Sequence, residues 1–142
     1  MLSSVEFAER LLMETPDAIL FADCDGIIQL WNRGCERIFG YGEDDAIGRS
    51  LDIIIPQTLR ARHWEGYAQT IRTGYTRYGV GDLLSVPAIK KDGGRISVEF
   101  SITPFREPNG RMIGMAATLR DVTKRFEETK RLRQAAGNLI PD

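Results

Sequence analysis

The residue types able to do chemistry are concentrated in one stretch. Ile55–Gly74, "IPQTLRARHWEGYAQTIRTG", carries the only histidine of the chain, His63, preceded by Arg60 and Arg62 and followed by Trp64 and Tyr67. A neutral imidazole is the commonest protein ligand for a metal, so His63 is either a ligand or one more polar residue hydrogen-bonded on a helix. A catalytic role finds no partners: the histidine has no adjacent Ser or Cys to activate, and Asp44-Asp45 read as acids at a helix start rather than as a working pair. The glycines of "GVGDLL" lack the third glycine of a nucleotide-binding loop and lead into a strand. No enzyme is expected. Cys24 and Cys35 have neither CxxC nor zinc-ligand spacing and read as reduced thiols of a cytoplasmic protein.

The rest of the chain must position that stretch. Its 142 residues, 42% hydrophobic and 27% charged, suit one ordinary globular domain. With Lys+Arg 19 against Asp+Glu 20, the net charge of -1 gives no field for nucleic acid or an anionic membrane surface. The apolar runs "DAILFAD" and "LDIIIP" fall far short of the roughly 20 residues of a membrane span.

Ser3 followed by Glu6 is a capping box, and Val5, Ala8 and Leu12 recur at helical spacing, so an amphipathic helix opens the chain and stops at Pro16. "AILFAD" and "IIQLWN", joined through "CDG" with Gly26 free to take positive φ, predict a hairpin. Gly34, Gly40, Gly42 and Gly48 then limit the chain to short helices, with Asp44 or Ser50 as caps. Leu59, Trp64, Tyr67 and Ile71 place one longer helix between Pro56 and Gly74, and this helix carries His63. "GDLLSVPAIKK", "RISVEFSITPF" and "RMIGMAATLRDVT", separated by "DGG" and "EPNG", predict a three-stranded meander. Within it Ile96, Val98, Phe100 and Ile102 alternate with polar residues, as in a strand with one wet face. The tail "TKRFEETKRLRQAAGNLIPD" is helical, with Phe126 and Leu132 on one stripe.

This element order, with Asp25-Gly26, Asn32, Phe39-Gly40-Tyr41, Gly48, Asp92-Gly93 and the closing Asp121-Val122-Thr123, resembles a PAS domain. The resemblance implies an α+β fold: a five-stranded antiparallel sheet covered on one face by short helices and one long helix. It divides the chain into an N-terminal amphipathic helix (1–16), the PAS domain (17–123) and a C-terminal helix or linker (124–142). Asn32 is expected at a strand-to-helix junction, where its side chain can bond orphan helix N–H groups, and Gly40 where the chain reverses before Tyr41 enters the core.

Pro56, Arg60, His63 and Tyr67 are similar to the start of the ligand-bearing helix of haem-binding PAS oxygen sensors, with the His-to-Tyr spacing one residue longer here. The resemblance therefore implies haem b held through His63, with Tyr67 nearby and a diatomic gas as the signal. Arg72 and Arg77 are candidate partners of the propionates, or else solvated surface arginines. Leu84 falls where similar sensors place a distal arginine, and Asp82 where a related sensor uses a methionine. With Met115, Leu84 is expected to form an apolar distal side favouring CO or NO over oxygen. The alternatives are a cofactor-free PAS module for dimerisation or protein interaction, and a flavin or small-ligand sensor. Against a flavin photoadduct, "NRGCERIF" places Cys35 one helix too early. Apolar stripes on both terminal helices predict a homodimer. No kinase, cyclase or DNA-binding segment follows Thr123, so output is expected to pass to a downstream signalling protein, or the chain is part of something longer.

Overall fold

The computed structural model describes residues 1–76, 81 and 83–139. Helix α1 (Ser4–Glu14) begins where Ser3 accepts a hydrogen bond from the Glu6 N–H at 3.1 Å, as the capping pattern predicts. Strands β1 (Ala18–Asp23) and β2 (Ile28–Trp31) form the hairpin, with Gly26 at φ 76 in its turn. Helices α2 (Arg33–Phe39) and α3 (Glu43–Ala46) follow, then two 3-10 turns at Leu51–Ile54 and Gln57–Leu59, and α4 (Arg60–Thr73). Strands β3 (Leu84–Ile89), β4 (Arg95–Arg106) and β5 (Met112–Asp121) form the meander, and α5 (Thr123–Leu139) leaves the domain. Ser50 caps the first 3-10 turn by accepting from the Asp52 N–H. Asp44 caps nothing: α3 starts after Gly42 without a side-chain cap, and Asp44 lies inside its first turn.

The five strands form one antiparallel sheet in the order β2-β1-β5-β4-β3. Alternation decides its two faces. Ala18, Leu20 and Ala22 of β1 are buried, and through the ladder they face the same side as Leu119, Ala117 and Met115 of β5, then Phe100, Ile102 and Pro104 of β4. The short helices cover this concave face over β1 and β2, where Trp31, Phe39, Ile28 and Cys35 are fully buried. Cover thins toward β3: Phe100, Ile102 and Leu84 are half-buried and Val86 is exposed.

Asn32 ties this arrangement together. Fully buried, it accepts from the N–H of Ile19 (2.9 Å) and of Cys35 (3.0 Å), and its amide donates to the carbonyls of Leu12 (2.8 Å) and Asp17 (3.0 Å). One side chain thereby caps α2, joins β1 to β2 and anchors the end of α1. Gly40, at φ 85, ends α2 in the left-handed conformation and delivers Tyr41 half-buried against the core.

Candidate functional site

Helix α4 needs no side-chain cap because the 3-10 turn Gln57–Leu59 runs directly into it. Its first turn is held from the side instead. Arg60 donates through Nε to the Ile55 carbonyl (3.1 Å) and through Nη2 to the Asp52 carbonyl (3.2 Å), with the Asp52 carboxylate 3.9 Å away. Trp64 Nε1 donates to Asp52 Oδ1 at 2.7 Å, and the far edge of its ring occupies the space that a Cβ at Gly26 would fill. The far end of the helix stops at Gly74, φ 79.

His63 sits in this clamped first turn, half-buried, with the Trp64 ring edge-on at 4.6 Å and the Tyr67 ring at 5.7 Å between centroids. Its Nδ1 is the buried side-chain polar atom left without a hydrogen-bond partner among the described residues. Burial pushes the imidazole pKa down, against the weaker opposing pull of Asp52, so the ring is neutral near pH 7. A buried polar atom with no partner costs about 1–3 kcal/mol, so this nitrogen is a site of unmet bonding capacity. A neutral imidazole nitrogen with no partner is the donor that iron in a haem requires. The residues present fit that group.

The other expected site residues are distributed as follows. Tyr67 adjoins His63, yet its hydroxyl donates to the Asp23 carbonyl at 2.6 Å and lies 3.4 Å from that of Ala22, latching α4 onto the end of β1. Burial and the neighbouring Asp23, Cys24 and Asp25 push its pKa up, so it remains a donor. Arg72 is exposed in the last turn of α4 and makes no ion pair among the described residues. Arg77 and Asp82 lie outside the described residues. Leu84 opens β3 on the concave side, paired with Phe100, while Met115 is buried on β5 and paired with Pro104.

The register places Leu84 and Met115 on the same concave face of the sheet, on the strands either side of β4. Phe100 and Pro104 are four residues apart on β4, so the two backbone positions differ by about 13 Å along the strands and a further ~10 Å across them. The concave neighbours of Leu84 are Phe100 and Val86. Asp52 and Gly26 were not among the expected site residues. The one acid inside the apolar run "LDIII" was a signal for the first; nothing local reveals that a tryptophan 38 positions on needs Gly26 bare.

The cysteines stand apart from His63. Cys35, on α2, is fully buried and hydrogen-bonded to the Ile19 carbonyl, and burial pushes its thiol up to about 12. Cys24 donates to the Met112 carbonyl at 3.2 Å. Among the described residues no group of three or more His, Cys, Asp or Glu could hold a metal ion, and no helix is long and apolar enough to cross a membrane.

The sheet order, the helical cover and the position of α4 define a PAS fold. The family described as "PAS fold" matches residues 12–127, and the chain belongs to it. It is 30% identical over 130 residues to the sensor protein FixL of Bradyrhizobium diazoefficiens, covering 92% of this chain and 25% of FixL. It is 27% identical over 117 residues to the oxygen sensor protein DosP of Escherichia coli, covering 82% of this chain and 14% of DosP. The chain thus spans a quarter or less of these two relatives. Among solved structures, the PAS domain of a Colwellia psychrerythraea protein superposes with a TM-score of 0.74 at 23% identity, covering 86% of this chain and 99% of that one. An RNA-binding light-oxygen-voltage receptor gives 0.73 at 23% identity, covering 94% of this chain and 37% of the receptor. Both structural likenesses speak to the fold.

Proposed function

We propose that this PAS module binds haem b through His63 and senses a diatomic gas, passing the signal through α1 and α5. The observation that carries the reading is the neutral, half-buried imidazole whose Nδ1 has no partner. The likeness to an oxygen sensor protein, DosP, supports it, as does the Pro56–Arg60–His63 spacing. When bound, haem supplies the iron at which a gas is recognised. The chain's own part is to offer the histidine nitrogen, to exclude water with the apolar concave residues Leu84, Phe100, Ile102 and Met115, and to offer Arg72 to a propionate. Arg77 is proposed as a second propionate partner. The Tyr67 bond to the Asp23 carbonyl ties α4 to the end of β1, which couples the site to the strand that follows α1.

Exposed Val5, Phe7 and Leu11 on α1, with Phe126 and Leu132 on α5, support a homodimer through the terminal helices, acting on a downstream signalling partner in the cytoplasm. A second reading, a cofactor-free interaction module, is favoured by that same latch, since Tyr67 already holds α4 against the sheet. A cysteinyl flavin adduct has no support from the cysteines: Cys35 is sealed beneath β1 with its thiol protonated. A visible spectrum after reconstitution with haem decides. A Soret band at one haem per chain, lost in His63→Ala, is expected; no stoichiometric haem leaves the cofactor-free module.

A further inference from the structure

A cleft of about 510 Å³ opens between the loop after α2, the first 3-10 turn and the β3–β4 turn, and does not include His63. Its wall is apolar, made by half-buried Tyr41, Ile53 and Ile89. Its rim is cationic: Arg49, Arg60, Lys90 and Lys91 line it, against Asp52 as the one lining carboxylate.

Local pairing does not neutralise that rim. Asp45 reaches Lys91 at 3.2 Å, Asp92 reaches Lys90 at 3.6 Å, and Asp52 stands 3.9 Å from Arg60 while holding Trp64. Four cations therefore meet three carboxylates, in a chain whose net charge is -1. The unmatched cation is Arg49. It has no carboxylate partner among the described residues, and its guanidinium lies 5.5 Å from the centre of the Tyr41 ring. Lys91 Nζ lies 5.9 Å from the same centre. Two positive groups approach one ring, and an oxyanion bound beside that ring gains charge-assisted hydrogen bonds from them. A bare inorganic ion leaves the Tyr41–Ile53–Ile89 wall wet. A flat apolar body carrying the oxyanion covers it, and the volume suits a small molecule.

We propose that this cleft is a second binding site, independent of haem, for a small organic oxyanion: a carboxylate or phosphate group on a flat apolar body, held by Arg49 and Lys91 over Tyr41.

Both tryptophans of the chain report on the cleft. Trp31 Nε1 donates to the Tyr41 carbonyl at 2.9 Å, and Trp64 Nε1 donates to Asp52. The test is a titration of ¹⁵N-labelled protein at low salt with phenyl phosphate, benzoate, inorganic phosphate and benzyl alcohol, following the two indole N–H resonances. Phenyl phosphate or benzoate should move both resonances saturably, and whichever binds tighter identifies the oxyanion as phosphate or carboxylate. Inorganic phosphate and neutral benzyl alcohol should bind at least about tenfold more weakly than that probe. Loss of one charge-assisted hydrogen bond corresponds to about a tenfold or greater weakening, expected for Arg49→Gln. Arg49 is exposed, so its replacement leaves the core intact. Exposed Arg111, in the β4–β5 turn, provides a charge-matched control expected to bind as the wild type when changed to Gln. The proposal is overturned if neither organic anion gives saturable shifts, if benzyl alcohol or inorganic phosphate matches the organic anions, or if Arg49→Gln binds as tightly as Arg111→Gln.

Discussion

Gly26→Ala should disturb the His63 helix through the Trp64 ring that rests on it. Two costs arise. Gly26 has φ 76, and an alanine held in the left-handed region costs about 1–2 kcal/mol. Its new Cβ falls inside contact distance of Trp64 Cη2 and Cζ3, so the ring must swing away. The swing breaks the Trp64 bond to the Asp52 carboxylate, a class of bond contributing about 1.5–3 kcal/mol. Asp52 is half-exposed and water replaces the lost donor, so the lower end of that range applies. The sum is about 2.5–3.5 kcal/mol, a large share of the ~5–15 kcal/mol of a typical domain. Urea unfolding at pH 7 measures it as a shift in midpoint at unchanged slope. A double-mutant cycle isolates the collision: in a Trp64→Leu background, Gly26→Ala should cost only the backbone part, about 1–2 kcal/mol. Additivity of the two substitutions within ~0.5 kcal/mol would show that the ring does not rest on Gly26.

Asn32→Ala removes four hydrogen bonds from a fully buried position and should cost about 3 kcal/mol or more, and a urea midpoint unchanged from the wild type would contradict this. The His63 pKa is lower in the folded chain, so the unfolded chain binds the extra proton and stability falls as pH drops from about 6.5 toward the folded value. Above that window the contribution is fully present, and His63→Gln should flatten this part of the urea midpoint-versus-pH curve, with an unchanged curve counting against a buried imidazole. Cys35, its thiol pushed up to about 12, should react with iodoacetamide at pH 8 only as fast as the chain unfolds, with half-buried Cys24 labelled first on the mass spectrum; fast native labelling of Cys35 contradicts its burial.

What could be read from the sequence was local. The Ser3–Glu6 cap, Asn32 at its junction, Gly40 and Gly74 as helix stops, and the alternation from Ile96 to Ile102 each follow from residues within one turn or one strand. The order of elements then brought the family into view, and with it the helix that carries His63. What stayed hidden depends on register and long-range approach. That Leu84 and Met115 share the concave face four residues apart along β4 is visible only in the ladder, because strand pairing is not written in either strand alone. The Tyr67 bond to the end of β1 spans 44 positions, and the Trp64 ring over Gly26 spans 38. Asp44 failed as a cap for a smaller reason: the chain turns two residues earlier, at Gly42, and places the acid inside α3.

Because the chain holds a single histidine, replacing it leaves no other imidazole to take its place. The most direct test of the proposed haem site is the haem affinity of His63→Gly with and without free imidazole, followed at the Soret band beside the wild type. The wild type should bind one haem per chain, the variant should bind weakly alone, and added imidazole should restore both stoichiometry and the band position. Haem binding by His63→Gly equal to that of the wild type, or no stoichiometric binding by the wild type at all, would contradict His63 as the ligand.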